Sequence, residues 1–399
     1  MKHYQYFLPR TNLIFGEGSL RELGIEVKKL GKRALLVTGA KSMERLGFLE
    51  KTLDSLKKEG LEVVRYSGVA PNPTVEVVNC GAEKALANGC DVVVALGGGS
   101  VMDTAKNIAV VVGHSEKEVV SIWEFSGLGC KTREITAKTL PIVAITSTSG
   151  TGSHVNKFAV VTNEKTKEKT GIKSLFMYPR LSLTDLDILC SMPPSLTART
   201  GFDVLSHVME CFVSKESNSL AGLHCLKAMQ IVFHYLPQAY NEGNNIKARE
   251  AMALADILAG WALTTSRVIL PHALSHAVSA FYPKAEHGLV LAALTPQIMR
   301  FNIDRGDEEV IEKHCEIAKM AEERIISSTK KEAFKSVDAV ERLLKKIKLN
   351  VTLQNIGVDE KDLEGIVESS LTAMKGPIEA NPVSVTRKEI LCLFRGAMK

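Results

Sequence analysis

Runs of β-branched and aliphatic residues alternate with amphipathic stretches through the first part of the chain. Residues 34–38 (ALLVT) read as a buried strand, and 61–66, 91–96 (DVVVAL) and 142–146 as further strands. Between them, 47–60 places Phe48, Leu49, Leu53 and Leu56 at helical spacing, and 74–88 predicts a second helix. Strands alternating with helices predict βαβ units and a parallel sheet covered on both faces. Beyond Pro193 the pattern changes. Residues 196–213, 220–240, 246–265, 289–301, 308–326 and 337–348 carry the helical period, with few strand candidates. The expected organisation is an α/β domain over residues 1–188 and an all-α domain over 189–399, and at 399 residues two domains are the default.

Composition narrows the classes of partner. Hydrophobic content of 45% and charged content of 24% describe an ordinary globular protein. A net charge of +5 with no basic stripe interleaved with aromatics argues against nucleic acid. The Lys-rich run over 328–348 alternates with apolar residues, as the wet face of a helix would. The start, MKHYQYFLPR, lacks the apolar segment of a signal peptide, and no run reaches membrane-span length, so no membrane association is expected. Eight cysteines without a C-x-x-C pair predict reduced thiols, with Cys190 and Cys392 in the core, and a cytoplasmic location by default.

Candidate chemistry concentrates in four stretches. The strand at 91–96 runs into Gly97-Gly98-Gly99-Ser100, a turn whose backbone amides can approach a phosphate at the start of the following helix. Asp103 is expected in the first turn of that helix, suited to its dipole or to a ribose hydroxyl. The G-x-G-x-x-G fingerprint is absent, and Gly16-Glu17-Gly18 opens no suitable helix. A second small-residue turn, Ser147 to Ser153 (STSGTGS), offers hydroxyls or is an ordinary loop. Asp203 and His207 stand four apart in an apolar helical pattern, as a buried ion pair or as paired ligands. In PHALSHAVSAFYPKAEHG, His272 and His276 share a helix face, while His287 is expected to return on a loop, with Gly288 admitting a close backbone. Asp203 with three of His207, His272, His276 and His287 would offer one oxygen and three nitrogen ligands, a mixture that fits divalent iron or zinc and not calcium or magnesium.

The blocks GGGSVMDTAK, STSGTGS, TARTGFDVLSHVMECFVS and PHALSHAVSAFYPKAEHG, in this order, resemble the iron-dependent (group III) alcohol dehydrogenases. The resemblance runs nearly end to end, including IFGEGSL, the Pro71-Asn72-Pro73-Thr74 turn and Ala380-Asn381-Pro382. It implies a dehydroquinate synthase-like fold: an N-terminal dinucleotide-binding domain of Rossmann-like type, then a helical metal-binding domain. It implies Asp203, His207, His272 and His287 as metal ligands, and His276 near the nicotinamide and the metal. Gly97, Gly98, Gly99, Ser100 and Asp103 would hold the pyrophosphate and ribose, with Asn72, Ser147, Thr148, Thr151 and Lys169 as further cofactor contacts. Three departures stand out. Thr38-Gly39 replaces the frequent Thr-Asp; an aspartate there would repel a 2′-phosphate, so Gly39 favours NADP, with NAD the alternative. His154 stands where glutamate is frequent. The loop before His287 is one residue longer than the commonest form, and Glu286 replaces the usual proline.

The implied function is reversible hydride transfer between a primary alcohol and NAD(P), with Fe(II), or alternatively zinc, as Lewis acid. His276 is the expected proton relay and Phe158 a candidate wall of the substrate pocket or a core residue. The expected partners are a small alcohol or aldehyde and further copies of the chain in a homo-oligomer. A glycerol dehydrogenase- or dehydroquinate synthase-like enzyme, or a non-catalytic dinucleotide-binding protein, are the rival readings.

Overall fold

The computed structural model describes residues 11–116, 118–128 and 132–399. The reading of MKHYQYFLPR as leaderless falls on residues 1–10, outside the described residues. The chain divides into two compact units. One runs to Thr148 and continues over Gly152–Met192, and the other takes Ser149–Thr151 and Pro193–Lys399.

The first unit is built on a six-stranded sheet in the order β1-β8-β5-β4-β2-β3, with every pairing parallel. Its strands are β1 (Asn12–Gly16), β2 (Arg33–Gly39), β3 (Glu62–Val69), β4 (Val92–Gly97), β5 (Ile142–Thr146) and β8 (Leu181–Asp185). Helices α1 (Leu23–Lys28), α2 (Ser42–Arg45), α3 (Phe48–Lys58), α4 (Val75–Ala87) and α5 (Gly99–His114) connect them, and α6 (Leu186–Cys190) follows β8. The apolar runs of β4 and β5 are buried throughout because both faces of the sheet are covered. Side chains alternate between the two cores. Leu35, Val37, Val93, Ala95 and Ala144 face one, while Ala34, Leu36, Val94, Leu96 and Ile145 face the other.

Strand order reverses between β2 and β4, where Thr38 pairs with Leu96. Gly39 and Gly97 therefore end neighbouring strands at the switch point of the sheet, where open α/β sheets bind their ligands. A separate antiparallel pair, β6 (Phe158–Asn163) and β7 (Glu168–Lys173), has no counterpart in the sequence reading. Gly16-Glu17-Gly18 has a structural use: the amides of Gly18 and Leu20 donate to Asp185, at 3.3 and 2.8 Å.

The second unit is helical: α7 (Pro194–Val213), α8 (Ser219–Asn241), α9 (Ile246–Thr265), α10 (Leu270–Phe281), α11 (His287–Arg305), α12 (Glu308–Met320), α13 (Lys330–Lys346), α14 (Leu363–Ala373), α15 (Lys375–Ala380) and α16 (Arg387–Ala397). Helix α7 is buried along almost all its length, as a helix surrounded by others must be. Three expectations need correction. His287 is the first residue of α11 and not part of a loop. The predicted helix over 308–326 stops at Met320, where Glu322 takes a left-handed conformation (φ 64°), and the next begins earlier than expected, at Lys330 behind its Thr329 cap. Cys392 is exposed, on the outer face of α16, and Cys190 is half-buried. Among the described residues, no single helix is long and apolar enough to cross a membrane.

Candidate active-site residues

Asp203, His207 and Glu210 recur on one face of α7 by their spacing of four and three. His272 and His276 share a face of α10, and a short turn returns the chain to His287 at the head of α11. One oxygen of Asp203, Oδ1, collects three imidazoles: His272 Nε2 at 3.3 Å, His207 Nδ1 at 3.6 Å and His287 Nε2 at 3.6 Å. Asp203, His207 and His272 are all buried, and each offers a ligand atom within 4.8 Å of the others. Oxygen and nitrogen ligands about 2.1 Å from one tetrahedral ion stand about 3.4 Å apart, close to the three separations measured from Asp203 Oδ1, while the mutually close group is Asp203, His207 and His272 without His287. The residues fit a divalent metal. The His276 ring lies beside them, its centroid 5.5 Å from that of His287 and 6.3 Å from that of His272.

Burial and neighbouring carboxylates act in opposite directions on the imidazoles of this cluster. Burial pushes the His207 imidazole down to about 4, with Asp203 pulling the other way. For His272 burial also acts downward, but the carboxylates of Glu210 and Asp203 outweigh it and raise the imidazole to about 9. Glu210, which the sequence reading did not single out, is 2% exposed and bonds His272 Nδ1 at 2.5 Å. Its one sequence signal is a carboxylate inside the apolar run VMECFV, one turn beyond His207. Ser275 was missed likewise; its hydroxyl holds His287 Nδ1 at 2.8 Å.

The start of α11 is fixed against α7. A Cβ on Gly288 would stand 2.5 Å from the Arg199 carbonyl oxygen, so only glycine lets the backbones approach this closely. Arg199 also pairs with Glu286, the residue that caps α11. Glu286 thus adds an ion pair between α7 and the start of α11. Gly150 seats on α7 in the same close manner, its Cβ position 2.9 Å from Thr200, and its backbone hydrogen-bonds His207.

In the α/β unit the two small-residue turns lie side by side. Ser147 donates to the Gly97 carbonyl at 3.0 Å, and a Cβ on Gly98 would meet the Thr148 side chain at 3.2 Å. Gly98 caps α5, a helix of 16 residues whose N-terminus, with the half-buried Gly99 and Ser100, presents amides and a hydroxyl suited to a pyrophosphate. Thr151 is half-buried on the adjoining stretch that packs with α7. Asp103 lies one turn further into α5 than expected, and its carboxylate accepts from Ser153 at 3.2 Å. Burial raises that carboxyl, against the nearby charge of Lys106. Lys106 is itself fully buried, donating to Ser153, Asn156 and the Phe158 carbonyl at 2.8–3.3 Å. His154 lies in this same unit, held neutral by burial and by Lys106, which push it down to about 3. Lys169 and Asn72, separated by 97 positions, meet at 2.7 Å. Gly39 ends β2 with only ordinary contacts at 3.8 Å for an added Cβ, so packing there does not require glycine. Beside it opens a surface cleft lined by Lys41, Glu44 and Arg65.

Comparison with known proteins agrees with this arrangement over both units. Residues 10–186 match the model of the family described as iron-containing alcohol dehydrogenase, and residues 197–398 match that of its C-terminal region. The chain is 34% identical over 398 residues to 1,3-propanediol dehydrogenase of Citrobacter freundii, covering 99% of this chain and 98% of that one. It is 30% identical over 395 residues to NAD-dependent methanol dehydrogenase of Bacillus methanolicus, covering 98% and 99%. Among solved structures, the archaeal halo-thermophilic Red Sea brine pool alcohol dehydrogenase ADH/D1 superposes with a TM-score of 0.97 at 44% identity, over 100% of both chains.

Proposed function

Because the chain belongs to the iron-containing alcohol dehydrogenase family, we propose that it holds Fe(II) on Asp203, His207, His272 and His287 and takes NADP as its cofactor. Family membership makes it an NAD(P)-dependent oxidoreductase of alcohols and aldehydes. The observation that carries the metal assignment is the Asp203 oxygen with three imidazole nitrogens at 3.3–3.6 Å. When bound, the metal supplies Lewis acidity toward the substrate oxygen, and the nicotinamide carries the hydride. Zinc satisfies the same ligand set and is the alternative.

NADP is favoured by Gly39, which leaves no carboxylate at the end of β2 to repel a 2′-phosphate, and by Lys41 and Arg65 in the adjoining cleft. Glu44 in that cleft, 4.0 Å from Arg65, is the feature that favours NAD. Gly97, Gly98, Gly99 and Ser100 would hold the pyrophosphate, and Ser147, Thr148 and Thr151 the neighbouring cofactor surface. Asp103 would meet the ribose, while Lys169 and Asn72 act as one hydrogen-bonded pair. His276 is the proton relay, since it stands among the ligand rings without belonging to the proposed set. A homo-oligomer in the cytoplasm completes the reading.

The test is loss of NADPH absorbance with butanal, using chelator-stripped protein reloaded anaerobically with Fe(II), with NADH alongside. Iron-dependent turnover preferring NADPH supports the whole reading. Turnover with NADH alone removes the cofactor choice and leaves the metal centre. Protein that binds no metal overturns the ligand assignment.

A further inference from the structure

We propose that Glu210 is a positioning residue for the metal: an obligate carboxylate that fixes the His272 tautomer and supplies the second negative charge of the centre. The inference rests on the ligand set proposed above and extends it to a residue outside that set.

Both Glu210 oxygens act only as acceptors. Oε1 receives the Ser206 hydroxyl at 2.7 Å and faces His272 Nδ1 at 2.5 Å. Oε2 receives the backbone amides of Ile269 at 2.8 Å and His272 at 3.3 Å. The two backbone amides fix Oε2 as an acceptor, so a carboxamide would have to turn its NH2 toward Ser206 Oγ and His272 Nδ1, which would make Nδ1 an acceptor and move the proton of a neutral His272 to Nε2; a carboxylate accepts from all four. In the neutral form that binds a metal, Nδ1–H committed to Glu210 leaves the lone pair of His272 on Nε2, the nitrogen that faces Asp203. His272 cannot rotate away without breaking that bond, because its own backbone amide is tied to the same carboxylate.

Charge points to the same role. Asp203 and Glu210 are 5% and 2% exposed, and the three imidazoles bind a metal in neutral form. Two buried carboxylates offset the two charges of a divalent cation. Asp203 alone would leave one positive charge uncompensated, at high cost in a buried site.

The experiment titrates Zn(II), and Co(II) for its visible spectrum, into folded apoprotein against a competing chelator. Wild type, Glu210→Gln, Glu210→Asp and Asp203→Asn are compared, each below its own unfolding temperature. Glu210→Gln is expected to weaken Zn(II) binding about 10–100-fold and to alter the Co(II) spectrum. Glu210→Asp, which keeps the charge, is expected to recover part of the affinity. If Glu210→Gln does not fold, Ser206→Ala and Glu210→Asp probe the same carboxylate and should weaken binding in the same sense. A variant that loses only thermal stability, with wild-type affinity and spectrum, overturns the proposal and leaves Glu210 as an anchor for α10. Wild-type protein that binds no Zn(II), or Asp203→Asn that binds as well as wild type, overturns the ligand assignment itself.

Discussion

Gly288 lies against Arg199 so closely that a methyl group on it would stand 2.5 Å from the Arg199 carbonyl oxygen. The contact sets how far α11 can sit from α7, and so where His287 stands relative to Asp203. Gly288→Ala is expected to lower stability by about 1–3 kcal/mol through overpacking and to weaken metal retention. Urea unfolding and metal analysis of the dialysed protein measure both. Retained metal with unchanged stability would show that the two helices separate without cost.

Asp203→Asn removes the charge on the oxygen at which the three imidazoles converge. Metal content should fall from about one equivalent to near zero, and turnover about a thousandfold or more, by loss of Lewis acidity. Elemental analysis beside anaerobic assays reads both quantities.

Gly39→Asp places a carboxylate at the switch point of the sheet, where the nearest atoms to a new Cβ are 3.8 Å away. The chain should tolerate it. The ratio of kcat/KM with NADPH to that with NADH should fall at least about tenfold, a change of 1.4 kcal/mol. An unchanged ratio would mean that the end of β2 does not read the 2′-position.

His276→Gln keeps a polar side chain of similar reach but cannot titrate. Metal content should persist while kcat falls about a hundredfold. A variant that loses metal instead would make His276 a ligand.

A buried histidine gives the protein an acid limit that does not involve the proposed metal ligands. His314 is 1% exposed on α12, and burial pushes its imidazole down to about 4. An unfolded chain binds this proton from about pH 6.5 downward and the folded one does not, so stability present above pH 6.5 is lost as pH falls toward 4. His314→Asn should narrow the difference in Tm between pH 7 and pH 4.5, measured calorimetrically on apoprotein.

Sequence was most informative where one signal ruled. The strand at 142–146 and the helix at 246–265 appear with their predicted bounds, because a continuous apolar run and an uninterrupted helical period have few competitors. Edge elements were harder. β1 is an edge strand with β8 beside it, each only five residues long, and β7 (EKTGIK) mixes small and charged residues; β6 (FAVVTN) carries an apolar, β-branched pattern that the sequence reading passed over. Tyr282, Pro283 and Lys284 announce a break, so the pattern points to a loop at His287, and nothing local marks the helix restart there. The ion pair of Glu286, just ahead of α11, with Arg199 joins positions far apart in the chain. Glu210 was missed for a related reason: on its helix it resembles one more charged residue. Its partners at Ile269 and His272 come some sixty positions later.

That separation has a polymer-physical consequence. Asp203 and His272 are 69 positions apart, so an ion shared between them staples a loop of that length. As with a covalent bridge, the restraint removes conformations from the unfolded ensemble, and its effect grows only slowly with loop length. The ion would also make resistance to heat depend on how much of it is free in solution. Starvation for metal would then cost this protein its shelf life as well as its chemistry.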